Sequence, residues 1–387
     1  MPNFNQFKNQ DLRKILQAPE IKNVLISAFI VISVIVYLYL FKFSGNITGF
    51  FRIGSVLPLS PFLTPDQTFI FKDELGYDGQ QFLSLALDPF FRDLDTLESL
   101  DHPAYRYRRI LYPLLSYLLG FGNPILIPYV MVAINAIAII LIVWLATLYF
   151  KSQDFNINQA LFTLCIPGIW IVLSLSTSDL VTGLFFVAAF YFYTQNKPIY
   201  TSLMVSLACL TRETMLLLWL ALVFTVIFRK KYDYLRFLVL AIVPPLIWNF
   251  YVLSLNLLGS PGTGNFGFPF WGIIQKIIGL ITGGLSGNKL FEAYLFILLI
   301  LAFVLTLGLS YRNRSQTSLL LVSGLMYFGM FVMTSLYILN YYLDYSRVFI
   351  DIYFLALLSL NISQFPYKTI FFSASGLASL AFLALHS

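Results

Sequence analysis

Charge is scarce in this chain. Asp, Glu, Lys and Arg make up 11% of the 387 residues, less than half of the roughly 25% found in soluble domains. With 59% hydrophobic residues and a mean hydropathy of +0.80, that shortage excludes a freely soluble globular protein. Cysteine is nearly missing: Cys165 and Cys209 are the only two, and both fall inside apolar runs. The sequence therefore offers neither a disulfide framework nor a thiolate metal site, and it leaves the redox compartment open. Histidine is as rare, with only His102 and His386. Any bound ion would have to rely on oxygen ligands such as Asp73, Glu74 or Asp78, a set that suits Mg²⁺ or Mn²⁺ rather than zinc. No metal or other cofactor is called for by the sequence itself. A phosphate-binding P-loop is missing too. The glycine-rich run Gly259-Ser260-Pro261-Gly262-Thr263-Gly264 lacks the Lys-Ser/Thr that would open a helix beneath a phosphate, and reads as a flexible loop.

What the chain has in quantity is apolar runs. A membrane-spanning helix needs about 20 such residues, and the runs 24–43, 126–150, 159–175, 180–194, 199–210, 215–228, 237–257, 291–310, 318–339, 348–360 and 369–385 predict about eleven spans. The fold class is all-α, a polytopic transmembrane bundle. The net charge of +6 is not spread as a nucleic-acid-binding surface. It sits in small clusters between the runs, as the positive-inside rule asks. With the N-terminus in the cytoplasm, Lys151, Lys197, the cluster Arg229, Lys230, Lys231 and Arg236, the pair Arg312 and Arg314, and Lys368 all fall on the inner side. This alternation requires that Arg109 to Gly122 lie at the interface or re-enter without crossing. The first run is longer than a signal-peptide core and has no small-residue cleavage site, so it is read as a retained helix.

The resulting organisation is a cytoplasmic segment 1–23, a first helix 24–43 and an extracytoplasmic loop with its interfacial helix, 44–125. Transmembrane helices 126–258, a second outer loop 259–290 and C-terminal helices 291–387 follow. The first loop holds nine of the chain's eighteen acids. Its interleaved aromatics argue against disorder and for short amphipathic helices. Two stretches in it stand out. In Gly76-Tyr77-Asp78-Gly79-Gln80-Gln81-Phe82, flanking glycines let backbone approach a ligand and leave the carboxylate uncrowded. In Asp101-His102-Pro103-Ala104-Tyr105-Arg106-Tyr107-Arg108-Arg109, aromatics separate three guanidinium groups of the kind that grip phosphate through forked hydrogen bonds.

The alternation brings further ionisable residues to the same face: Asp179, the pair Arg212 and Glu213, and Tyr345 with Arg347. Charged groups at or within spans are costly and mark function by default. Bland readings stand beside each: Asp78 as a turn residue, Asp179 as a helix N-cap, Arg212 with Glu213 and Asp344 with Arg347 as local ion pairs, and the arginines as contacts to anionic lipid headgroups.

These residues, in this order, resemble the GT-C superfamily of integral membrane glycosyltransferases, and within it the GPI mannosyltransferase-like branch and its bacterial relatives. The likeness rests on Tyr77-Asp78-Gly79 with Phe82, on Leu111-Tyr112-Pro113-Leu114, on Ser178-Asp179 and on Thr211-Arg212, and covers roughly the first 215 residues. Tyr77 stands where that branch often has Trp, and Asp179 where it has Glu. The resemblance implies a GT-C-like bundle in a bacterial plasma membrane, with its site on the extracytoplasmic face. It also implies transfer of a hexose such as mannose from a polyprenyl-phosphate-linked donor to an acceptor hydroxyl. Asp78 would be the catalytic base, and Tyr77, Gln80, Arg106, Arg108, Arg109, Asp179, Arg212, Glu213, Tyr345 and Arg347 would bind substrate. Membrane lipids are the other expected partners, and nucleic acid is not expected. Two other classes fit the composition: a transporter or flippase of lipid-linked saccharides, and a non-catalytic membrane assembly protein. No internal repeat of the kind a transporter carries is visible, and a membrane O-acyltransferase would want an intramembrane histidine that the chain lacks.

Overall fold

The computed structural model describes residues 18–257, 263–284, 286–313, 318–362 and 365–385. Lys8, Arg13, Lys14, most of the glycine-rich run at Gly259, Arg314 and His386 lie outside the described residues. The chain is helical almost throughout. Its elements are α1 (Pro19–Tyr37), α2 (Asp78–Leu87), α3 (Asp95–Glu98), α4 (Pro103–Tyr107), α5 (Leu111–Leu119), α6 (Leu126–Ser152), α7 (Pro167–Leu175), α8 (Asp179–Thr194) and α9 (Pro198–Thr211). They continue with α10 (Leu216–Phe228), α11 (Leu235–Ser254), α12 (Trp271–Thr282), α13 (Gly287–Arg312), α14 (Ser318–Met333), α15 (Leu336–Leu339), α16 (Tyr342–Val348), α17 (Ile350–Ile362) and α18 (Lys368–Leu385). Strand pairing among the described residues is limited to a two-residue parallel ladder, Ile53 beside Ile70 and Gly54 beside Phe71, which ties the loop after α1 to itself, and an isolated bridge between Phe266 and Thr334.

The predicted apolar runs are mainly helical, but 159–175, 318–339 and 348–360 are each divided between two helices, and the helices differ in length. Five of them are long and apolar enough to cross a membrane, and seven if each of two bent pairs counts as one span. One pair is the 3-10 helix Ile157–Cys165 with α7, bent by 56°, and the other is α16 with α17, bent by 50°. In the first pair Pro167 opens the new helix because it has no N–H to give the previous turn. Helices α8, α9, α10 and α14 have 16, 14, 13 and 16 residues. At roughly 1.5 Å per residue each falls short of the roughly 30 Å of hydrocarbon. The chain is an α-helical membrane protein on this showing. Its long helices turn Phe29, Ile32 and Phe41 near the N-terminus, and Leu240, Ile247 and Phe250 in α11, to the outside, as a lipid solvent permits.

Helix α6, 27 residues long, forms the centre. It packs against α1, α5 and α8. Its buried Asn135 donates to the Tyr112 hydroxyl and to the Thr177 carbonyl, both at 3.0 Å. One side chain therefore fixes the loop helix α5 and the turn between α7 and α8 to the same axis. Helix α5 has nine residues, about 14 Å at the helical rise. It ends in a turn where Phe121 and Gly122 both have positive φ, and this helix by itself is too short to span the roughly 30 Å of hydrocarbon. A small second core of Leu85, Leu100, Tyr107, Ile110 and Val252 pins the loop to α11. There the Trp248 indole donates to the Tyr107 carbonyl at 2.9 Å.

Candidate active site

Asp78 is the first residue of α2, where the partial positive charge of a helix N-terminus favours a carboxylate. Its placement depends on two glycines. Gly76, at φ +87°, supplies a backbone turn that a side chain would strain. Gly79 lies directly against the carbonyls of Leu175 and Phe51, with no room for a Cβ. The start of α2 is thereby seated on the end of α7.

Three guanidinium groups converge on Asp78. Arg106 approaches Oδ1 at 2.7 Å and Arg109 approaches Oδ2 at 4.0 Å, while Arg347 donates to Oδ2. Each arginine is also held by a second carboxylate. Arg106 makes a forked pair with Asp101, at 2.8 and 2.6 Å. Arg109 makes one with Glu213, at 2.8 and 2.9 Å, and its guanidinium lies 4.3 Å from the centre of the Tyr105 ring. Arg347 reaches Asp179 at 3.6 Å and Asp344 at 3.7 Å, and stacks 5.0 Å over the Tyr77 ring. The Tyr77 hydroxyl in turn donates to Asp344. Asp179 closes the network by accepting from Arg212 at 2.5 Å and from the Thr177 hydroxyl at 2.6 Å.

Burial alone would raise the pKa of Asp78. The attraction of Arg106, Arg347 and Arg109 outweighs it and holds the carboxyl well below the usual carboxylate range. The network is graded in depth. The Asp179 and Arg212 side chains are 4% and 5% exposed, Asp78 is 13% exposed, and Glu213 at the rim is 32% exposed. Buried Nε atoms of Arg108, Arg212 and Arg347 have no partner. A cluster that compensates its charges yet keeps unused donors can accept further oxygen atoms.

Of the residues singled out in the sequence, Tyr77, Asp78, Arg106, Arg109, Asp179, Arg212, Glu213 and Arg347 meet in this network. Arg212 and Glu213 do not pair with each other. They face apart and take partners from elsewhere in the chain, Asp179 and Arg109. Three residues do other work. Gln80 is 3% exposed and its side-chain oxygen accepts from the Gly54 N–H at 3.0 Å, bracing the loop. Tyr345 donates to the Glu292 carbonyl at 2.8 Å, beside the separate ion pair of Lys276 and Glu292. Arg108 is half-buried and makes no ion pair with Asp78. Asp73 and Glu74 do not join Asp78 either, since Glu74 is engaged by Arg52 at 2.8 Å. Among the described residues no group of three or more His, Cys, Asp or Glu forms an ion cage.

Three carboxylates at the site were not singled out as site residues from the sequence, the first being Asp344, which was read only as a local partner of Arg347 and also accepts from the Tyr77 hydroxyl. Asp101 lies five positions before Arg106, and its signal was the acid at the start of the arginine segment. Asp351, with an unpartnered Oδ1 and with Oδ2 accepting from Tyr327 at 2.9 Å, lies below the network. An acid in the middle of an apolar run was its signal.

Fold and site together define a helical membrane protein with a buried carboxylate beneath converging arginines. Comparison with family models, curated proteins and solved structures finds no match to the chain.

Proposed function

We propose that this protein is a membrane glycosyltransferase of the GT-C type. It moves a hexosyl group, such as mannose, from a polyprenyl-phosphate-linked donor to the hydroxyl of a lipid, glycan or protein acceptor. The observation that carries the reading is the meeting of Arg106, Arg109 and Arg347 on Asp78. In the reaction the acceptor oxygen bonds to the anomeric carbon as the bond from that carbon to the phosphate oxygen breaks. The acceptor proton passes to Asp78, and the electron pair leaves with the polyprenyl phosphate, whose charge the guanidinium groups offset. Because the leaving phosphate is already attached to lipid, no nucleotide-binding fold is required. Turnover is tested by incubating the purified chain in vesicles with a polyprenyl-phosphate hexose and an acceptor extract and measuring release of polyprenyl phosphate. A protein that releases none with any hexose, in a strain whose envelope glycans and glycolipids do not change when the gene is deleted, would sink the reading.

In this reading the shorter helices α8, α9, α10 and α14 also cross, at places where the bundle rather than lipid surrounds them, giving eleven spans. The N-terminus is cytoplasmic and the site lies on the outer face of a bacterial plasma membrane. Single cysteines placed beside Asp78 and beside Thr211 are then both labelled by an impermeant reagent from outside. Labelling from opposite sides breaks the site apart.

The depressed pKa of Asp78 sets a pH profile. kcat/KM reports the free protein, in which Asp78 is ionised and competent as a base at any pH above about 4. A donor phosphodiester does not titrate in that range. We expect kcat/KM to stay flat as pH falls from about 8 to about 5, whereas a base with a raised pKa would give an acid limb near pH 6. An acid limb there would remove Asp78 as the base.

One observation favours a second reading. The break between α16 and α17 carries Arg347 and Asp351 at bundle depth, and ionisable groups on broken helices are characteristic of transporters. Movement of an intact lipid-linked saccharide across sealed vesicles, without cleavage of its phosphate bond, would support that reading over transfer.

A further inference from the structure

Lys22 and Lys42 bracket an uncharged run made of α1 and the π-helical turn Leu38–Lys42 that follows it, a length that matches a bilayer's roughly 30 Å of hydrocarbon. Lys42 therefore marks one membrane boundary, on the side where the long loop emerges. The Asn23 amide donates to the Thr147 hydroxyl at 3.1 Å, so α6 runs antiparallel to α1 and its first turn stands at the same boundary. There a cleft of about 440 Å³ opens between the loop and the start of α6. No residue of the Asp78 network is among the described residues that line it.

The loop wall of the cleft is braced from within. The Asn46 side chain accepts from the Thr48 N–H at 2.9 Å and from the Thr48 hydroxyl at 2.7 Å, and donates to the Gln67 carbonyl at 3.0 Å. The Thr48 hydroxyl accepts from the Phe69 N–H at 2.8 Å, and the Thr68 hydroxyl donates to the Thr64 carbonyl at 2.7 Å. These bonds make one fixed wall of two separate stretches of loop. The Ser44 and Thr64 hydroxyls and the Gln67 amide take no part in the bracing, and all three residues line the cleft while exposed. The α6 side is carbon instead: Pro124, Ile125 and Pro128 line it beside the ring of Tyr129, whose hydroxyl is tied to Tyr39. An aromatic belt accounts for a tyrosine at this height. It does not account for a rigid wall of amide and hydroxyl groups standing across a cavity from that ring.

We propose that this cleft binds a sugar, with the Gln67 amide and the Thr64 and Ser44 hydroxyls as its hydrogen-bonding groups and the rings of Tyr129 and Phe62 as its apolar faces. Amides and hydroxyls both donate and accept, as the hydroxyls of a sugar do, while the C–H face of a pyranose ring rests on carbon. The volume lies within the roughly 300–1,000 Å³ of small-molecule sites, which pair an apolar lining with a few polar groups in this way. The sugar can be the headgroup of a glycolipid or a free saccharide, and either satisfies the chemistry. Exposed Leu40 and Phe41, just before the boundary, offer a surface for the chains of such a lipid. The proposal does not depend on the glycosyltransferase reading.

The full-length protein, in a detergent without a sugar headgroup, is titrated with hexyl glucoside and hexyl mannoside, with the matching methyl glycosides, with hexanol and with dihexanoyl phosphatidic acid, while the melting temperature is followed. At least one hexyl glycoside is expected to raise it and hexanol is not. A rise with the methyl glycoside as well shows that the sugar suffices, and a rise with the hexyl glycoside alone identifies a glycolipid headgroup. Each hydrogen bond to the sugar contributes roughly fivefold in affinity, so Thr64→Val with Gln67→Leu should raise the glycoside midpoint about twenty-five-fold. Lys72→Gln changes an exposed residue of the same loop that does not line the cleft and should leave the midpoint unchanged. If the double variant does not fold, Tyr129→Leu, which replaces an exposed ring, carries the test through a several-fold rise in midpoint. No shift with any glycoside would overturn the proposal, as would an equal shift with hexanol or a larger one with phosphatidic acid. An unaltered midpoint in these variants, or an equal change in Lys72→Gln, would overturn it too.

Discussion

Asp78→Asn should lower kcat by about a hundredfold to ten-thousandfold, the usual effect of removing a positioned general base, while the KM for the lipid-linked donor falls. The second half of this expectation separates it from simple damage to the site. In the proposed reaction the donor phosphodiester binds the same arginines that hold the Asp78 carboxylate, so two negative charges share one cluster. At an effective dielectric of about 20 and a separation of about 8 Å, two like charges repel by about 2 kcal/mol. Removing one charge should therefore tighten donor binding by about tenfold to thirtyfold. Chemistry in the variant is slow relative to dissociation, so its KM approaches the true dissociation constant. The fold should survive, because Arg106 keeps Asp101, Arg109 keeps Glu213, and Arg347 keeps Asp179 and Asp344. Initial-rate kinetics against donor concentration decide the matter. Undiminished kcat removes Asp78 from its role, and a KM that rises places the donor phosphate elsewhere.

The second large effect is on stability. Among the described residues Asp179 is the only carboxylate within ion-pair distance of Arg212, and both side chains are almost wholly buried. Asp179→Ala leaves a guanidinium in the bundle with no partner for its charge, which costs about 3–5 kcal/mol when a buried pair is broken from one side. Replacing Arg212 with Leu in the same background removes the stranded charge. The double variant should therefore be more stable than Asp179→Ala alone, recovering most of the loss. Unfolding in mixed micelles, measured for the wild type, both single variants and the double, gives the coupling directly. A stability of Asp179→Ala equal to that of the wild type would mean that the pair does not form.

The helical bundle, the long acidic loop and the joining of Asp78 to Arg106, Arg109 and Arg347 were legible in the sequence. Apolar runs report burial or lipid, glycines frame a carboxylate, and charges in an apolar chain have few places to go. The direction of each side chain was not legible. Gln80 follows Asp78 by two positions and Tyr345 precedes Arg347 by two. On a helix two positions turn a side chain by about 200°, so the neighbour of a site residue faces away from the site. Arg212 and Glu213, adjacent in sequence, point apart because the backbone at Arg212 is extended at the break between two helices, and they find Asp179 and Arg109 instead. Helix ends were illegible as well. A run of apolar residues does not reveal that the chain bends by 56° between Cys165 and Pro167, because lipid and protein interior reward the same side chains.

The ion pair between Asp78 and Arg347 joins positions 269 residues apart. During synthesis the aspartate emerges alongside Arg106 and Arg109, and its last counter-ion arrives on α16 only after all the helices between them have been made. The network around Asp78 is therefore closed only once α16 exists, and a chain stalled anywhere before that helix would hold the aspartate with the loop arginines alone.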